Sequence, residues 1–146
     1  AQRACFVMVA YHINLDHNFV RFRPTGQFTE RDLIDLMQAA FDDPRRSPTF
    51  AHVWDTQAID ELVMDADVIS MYKNLLDDSA DQVTEEKVAV IASRAVTRTF
   101  ASMLIQVSKE HPATFQLFER AEVAAGWVGV PASSFTDVPE HEWTEV

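Results

Sequence analysis

The sequence predicts an α/β fold, with a mixed sheet of about five strands and about four helices in the order ββαβαβαβα. Two apolar segments near the start are separated by a polar turn, which predicts an antiparallel hairpin. After it, short apolar runs alternate with longer segments whose apolar residues recur every three or four positions, the spacing of amphipathic helices. Strands and helices that alternate in this way form parallel βαβ units, so the later strands should extend the hairpin into one mixed sheet.

The 146 residues suit one domain with one core, and the apolar fraction of 47% is ordinary for a globular protein. We expect residues 1–131 to form a single domain and residues 132–146 to form an acidic tail, in which Phe135 and Trp143 are the large apolar anchors. The net charge of −11 would repel a phosphate backbone. Nucleic acids and anionic membrane surfaces are therefore disfavoured as partners.

The hairpin is predicted over residues 6–13 and 19–23, joined by the polar turn 14–18. Thr29 is a natural N-cap for the first helix, because a threonine oxygen can accept from the free amides of the first turn. The connection 42–49, which holds two prolines, ends that helix and is expected to be exposed.

The segment 50–60 reads as a strand over 50–54, a turn at Asp55 and Thr56, and a helix capped by Asp60 that continues to about Leu76. The unbroken apolar run 88–92 predicts a central strand. Ser93 and Arg94 follow it. The next helix is predicted to direct these residues toward the core: Val96, Phe100, Met103, Leu104 and Val107.

A last strand is predicted over residues 115–118, followed by a helix that begins at Glu119 and ends at Gly129 and Pro131. In this final helix we expect Val123, Trp127 and Val128 to pack against the sheet.

Ligands of open α/β sheets bind beyond the carboxyl ends of the strands. Two adjacent parallel strands of the predicted sheet end in polar residues, which are Asp55, Thr56, Ser93 and Arg94. One interpretation is a ligand or partner edge, or an enzyme site in which Asp55 is a base and Arg94 binds an anion. The simpler interpretation is an ion pair between Asp55 and Arg94 that ties two loops together.

Standard catalytic and cofactor motifs are missing from the sequence. The three glycines cannot form a phosphate-binding loop, the five histidines occur singly, and Cys5 has no partner for a disulfide. We therefore predict no cofactor, no metal site and no catalytic residues. The apolar segment 4–10 is too short to span a bilayer, and a cytoplasmic location is expected.

Several stretches resemble the STAS and SpoIIAA-like superfamily: VRFRPTGQFTERDLIDLM, FAHVWDT, KVAVIAS and TFQLFERAEVAAGWVG. The resemblance covers residues 7–130 and rests on the order of elements and on local similarity. It implies a non-enzymatic regulatory or binding domain that takes a small apolar ligand, a lipid or a protein partner. A homodimer is compatible with it.

Regulatory members of that superfamily carry a phosphorylated serine or threonine in a D-S-G-like turn after the third strand. This chain has DTQAID there, so Thr56 stands at the corresponding place while the paired serine and the glycine are absent. Phosphorylation of Thr56 is thus an alternative that the resemblance supports only weakly. The other alternative is a small enzyme at the strand ends.

Overall fold

The computed structural model describes residues 9–80, 86–136 and 138–146. Its strands are β1 (Val9–Asn14), β2 (Phe19–Pro24), β3 (Gly26–Thr29), β4 (Ala51–Asp55), β5 (Ile59–Val63), β6 (Lys87–Ile91), β7 (Thr114–Phe118) and β8 (Thr144–Glu145). Its α-helices are α1 (Glu30–Asp42), α2 (Val68–Asp78), α3 (Ala95–Val107), α4 (Ala121–Val128) and α5 (Ser133–Thr136).

The main sheet has six strands in the order β7-β6-β4-β2-β1-β8. Strands β1 and β2 form an antiparallel hairpin, and β2, β4, β6 and β7 are parallel to one another. This arrangement confirms the predicted α/β fold with a mixed sheet. Strands β3 and β5 pair separately in a small parallel sheet.

The two faces of the main sheet carry separate apolar cores. One face packs against α1, α2 and α3, and includes Phe22 and Trp54, whose rings stack at 4.0 Å on neighbouring strands. The other face packs against α4 and α5 and includes Phe19 and Val53. Because side chains alternate along a strand, successive residues of β2 contribute to opposite cores.

The predicted start of α1 is confirmed in detail. The backbone N–H of Asp32 donates to the Thr29 hydroxyl, and the Thr29 N–H donates to the Asp32 carboxylate, so the two residues form a capping box.

The predicted start of the second helix at Asp60 is wrong, whereas its predicted continuation to about Leu76 is confirmed by α2. Residues 59–63 form β5, which pairs with β3, and α2 begins only at Val68. In β5, Ile59 is buried and Leu62 is half-buried, whereas Asp60 is an exposed strand residue and not a helix cap. The spacing of Ile59 and Leu62 favours a helix, but the pairing with β3 overrides it, because strand formation depends on the partner strand that is present.

The predicted inner face of α3 is partly wrong. Val96 and Met103 are 60% and 49% exposed, and Thr97 and Ala101 occupy the buried positions instead. The final helix shows the same kind of shift, since Val123 is 47% exposed while Ala124 and Ala125 are buried. Small residues there allow the helices to lie close to the sheet.

Helix α5 lies against the second face of the sheet, and β8 extends the sheet at its edge. Phe135 is 2% exposed and meets Phe19 edge-on at 5.4 Å, and β8 pairs antiparallel with β1. Trp143 lies over the guanidinium of Arg23 at 4.0 Å. Phe135 and Trp143 are thus confirmed as anchors. The division into a domain of residues 1–131 and a tail stays a prediction.

Within the described ranges, no helix is long and apolar enough to cross a membrane. Cys5 and most of the apolar segment 4–10 lie outside those ranges.

Candidate functional site

The carboxyl edge of the sheet holds the four polar residues that the sequence singled out. Asp55 does form an ion pair, but its partner is Arg21, at 2.7 Å, with both side chains largely buried. Arg21 also donates to the carbonyl of Phe135. The expected pair between Asp55 and Arg94 is therefore replaced by one that holds the C-terminal residues onto the sheet.

Thr56 faces the opposite side of the sheet from Asp55. Its hydroxyl donates to the carbonyl of Ile91 at 2.7 Å, and its N–H donates to the same oxygen at 3.0 Å. Ser93 and Arg94 are exposed, and Arg94 is the N-cap residue of α3. Among the residues with described positions, no hydrogen bond or ion pair joins these four side chains to one another.

A cavity of about 80 Å³ lies between the first face of the main sheet and α1, α2 and α3. Its walls are mainly apolar, and besides the histidines seven aromatic side chains line it: Phe22, Phe28, Phe41, Trp54, Tyr72, Phe100 and Phe115. Thr56 and Ile59 belong to its wall near the carboxyl ends of the strands. A water needs roughly 10–15 Å³ of such space, so the cavity has room for a small organic molecule.

The other end of the cavity carries a cluster of polar side chains, which we call the polar end: Arg46, His52, Glu86 and His111. His52 is the second residue of β4, and the other three lie in the segments that lead into β4, β6 and β7. The polar end is thus at the amino edge of the parallel strands, opposite the edge that the sequence indicated.

In the polar end, the contacts of the Glu86 carboxyl are longer than hydrogen bonds. The Nε–H of Arg46 donates to Nε2 of His52 at 3.0 Å. The Glu86 carboxyl is 3.7 Å from Arg46 and 3.9 Å from His52, which is too far for hydrogen bonds. Both the Arg46 and the Glu86 side chains are almost completely buried, at 3% and 1% exposure.

Burial shifts the protonation of these groups toward their neutral forms. It raises the pKa of Glu86 to about 8, although the nearby Arg46 opposes that change. It lowers the pKa of His52 to about 3, helped by the charge of Arg46. The contact with Arg46 would favour an ionised Glu86, but at 3.7 Å without a hydrogen bond it does not compensate for the lost hydration. We therefore take Glu86 to be largely protonated at neutral pH.

The hydrogen bonds fix the tautomers of both histidines. Nε2 of His52 accepts from Arg46, so its proton is on Nδ1. Nδ1 of His111 accepts from the N–H of Ala113 at 3.1 Å, so its proton is on Nε2. That Nε2 is buried and has no hydrogen-bond partner in the described residues, and the same is true of Oε2 of Glu86.

Few features of the sequence indicate this arrangement. Arg46 lies in the proline-rich connection that we expected to be exposed, and Glu86 lies in a charged run before β6. Charged residues next to an apolar strand are usually solvated. The one feature that could have indicated the polar end is that Arg46, Glu86 and His111 each precede a strand. Those three strands become neighbours only in the folded sheet.

A second group of acidic residues lies on the surface, where carboxylate oxygens of Glu30, Asp65 and Asp67 are within 4.8 Å of one another. The Asp65 N–H donates to Glu30 at 3.2 Å. Carboxylates often gather on exposed surfaces without binding a cation, so the prediction of no metal site stays a prediction.

No protein-family model matches the chain, and no curated protein matches it. Among solved structures, an uncharacterised protein of the DUF3478 family with a SpoIIAA-like fold, from Shewanella loihica PV-4, superposes with a TM-score of 0.54. The sequences are 16% identical, and the match covers 82% of this chain and 91% of that chain. At this identity the match shows the fold alone, and it confirms the predicted resemblance at that level.

Proposed function

Starting from the SpoIIAA-like fold, we propose that this protein is a non-enzymatic binding domain that takes a small apolar ligand between the sheet and helices α1 to α3. The observation that carries the proposal is the cavity of about 80 Å³ with its aromatic walls. Sites for small molecules are mostly apolar concavities with a few polar groups that orient the ligand, and this cavity has both features.

Binding has more support than catalysis at the strand ends. In an enzyme site there, Asp55 would act as a base, but its carboxylate is held by Arg21. In the separate alternative of a phosphorylation switch, Thr56 would accept a phosphoryl group, but its hydroxyl donates to the carbonyl of Ile91. Both groups would have to break existing bonds before they reacted.

A substitution that fills the cavity tests the proposal. Ala101 is buried on α3 and lines the cavity, so Ala101→Leu places three more carbon atoms against that space. We expect this variant to lose binding of toluene by about tenfold or more, while it keeps or gains thermal stability because a void is filled. Calorimetric titration and thermal unfolding measure the two effects.

The matched control is Ala95→Leu, which adds the same atoms at an exposed position of the same helix. It should bind toluene like the original protein. The proposal is wrong if the original protein binds no small apolar probe, or if Ala101→Leu binds toluene unchanged.

A further inference from the structure

Within the described part of the chain, the polar end contains two buried polar atoms without a hydrogen-bond partner, in a wall that is otherwise mainly apolar. Among the described residues, Nε2 of His111 is an N–H donor without an acceptor, and Oε2 of Glu86 has no hydrogen-bond partner. They are carried by adjoining backbone segments, because the N–H of Thr114 donates to the carbonyl of Glu86 at 2.9 Å. Buried polar atoms are normally paired, so two such atoms at one cavity wall indicate a place where a ligand atom binds.

The chemistry of the two groups restricts that ligand atom. A ligand atom that pairs both groups must accept a hydrogen bond from His111 and also bond with the carboxyl of Glu86. A hydroxyl oxygen does both, since it can accept and donate at once. A methyl group does neither and leaves both atoms unpaired.

Charged ligand groups are disfavoured at the same place. An ammonium has no lone pair for the N–H of His111, and it would approach Arg46, which is 3.7 Å from Glu86. A carboxylate would have to give up its hydration to enter this nearly dry site, which costs more free energy than burying an uncharged hydroxyl.

We propose that the cavity selects uncharged ligands that combine an aromatic or aliphatic body with a hydroxyl group, which accepts from His111 and bonds to Glu86. This inference rests on the proposed function, since it names the ligand class of the same cavity. The aromatic walls bind the body by dispersion and by loss of hydration, and the polar end orients the hydroxyl.

Four probes of nearly equal size test the inference: toluene, benzyl alcohol, benzoate and benzylamine. Each is titrated into the full chain at about pH 7, and binding is followed by calorimetry and by amide chemical shifts. We expect benzyl alcohol to bind about tenfold tighter than toluene, because it pairs two buried polar atoms that toluene leaves unpaired. Benzoate and benzylamine should bind more weakly than the alcohol.

Substitutions at the polar end separate the inference from simple apolar binding. Glu86→Gln keeps a group that accepts and donates, and it should retain the preference for the alcohol. Glu86→Met and His111→Phe remove one partner each, and each should reduce the ratio of alcohol to toluene affinity severalfold while toluene binding persists. The His111 ring meets Phe115 edge-on at 5.8 Å, and His111→Phe keeps a ring in that position. This variant therefore tests the inference even if Glu86→Met fails to fold.

The failures are distinguishable. If toluene and benzyl alcohol bind equally well, or if benzoate binds tightest, the inference about the polar end is wrong and the proposed function stands. If the ratio does not change in His111→Phe and Glu86→Met, the hydroxyl is bound elsewhere and the inference is again wrong. If no probe binds at all, the proposed function is wrong and the inference falls with it.

Discussion

At the scale of single residues, Glu86 has an ionisable group inside a core made largely of aromatic rings. Its pKa is raised from 4.5 to about 8 by burial, so the folded protein holds this proton over a pH range in which the unfolded chain has released it. Stability from this source is complete below about pH 4.5 and is lost as the pH rises toward about 8.

Glu86→Gln should therefore become more stable relative to the original protein as the pH rises from 5 to 8. One pKa unit corresponds to about 1.4 kcal/mol, so we expect the difference in unfolding free energy to grow by about 2 kcal/mol or more. Urea unfolding at several pH values measures it. His52, whose lowered pKa gives the opposite slope at acid pH, is present in both proteins and cancels in the difference. A difference that stays flat would mean that Glu86 is ionised throughout.

The role of a single residue could be predicted from the sequence where its partner is close in the chain. Thr29 caps α1 because the partner it needs is three residues away, at Asp32. Glu86 and Arg46 could not be recognised in this way, because their burial comes from strands and helices that are distant in the chain. The same reason explains Asp55, whose ion-pair partner Arg21 lies on β2 and not at the end of β6.

At the scale of elements, the contributions of two predicted helix caps to stability can be compared. Thr29 is confirmed as the cap of α1, whereas Asp60 lies in strand β5 and caps no helix. Thr29→Ala removes the capping box and should cost about 1 kcal/mol of unfolding free energy. Asp60→Ala changes an exposed residue of β5 and should alter stability by less than about 0.5 kcal/mol. Chemical unfolding of both variants makes the test, and a loss at Asp60 equal to that at Thr29 would restore the predicted helix.

Most elements were predictable because their apolar period is carried by their own residues, as in the hairpin and the run before Ser93. Strand β5 was not, since its pattern is compatible with a helix and its structure depends on the pairing with β3. The sequence also did not predict which face of α3 is buried. Its buried positions include Thr97 and Ala101, which a search for large apolar residues passes over.

At the scale of the whole molecule, the C-terminal residues complete the second core. Phe135→Ala should cost about 3–5 kcal/mol, the usual loss for a buried phenylalanine, because Phe135 is 2% exposed and fits against Phe19. Leu15→Ala, at a position that is 61% exposed, serves as the control and should change stability little. Thermal or urea unfolding measures both. A loss below about 1 kcal/mol for Phe135→Ala would show that these residues do not contribute a core.

The overall topology was predictable as far as the alternation of strands and helices determines it. The outer strand β8 was not, because two residues give no periodicity and their position follows from contacts of Phe135 and Trp143 with β1 and β2.

The pairing of β8 with β1 also bears on how the chain folds. The contact between His12 and Glu142 joins residues 130 positions apart, whereas the hairpin of β1 and β2 closes over a short turn. Bringing distant segments together costs more conformational entropy than closing a short loop, and long-range contacts slow folding for that reason. We therefore expect β1 to pair with β2 early in folding and with β8 late.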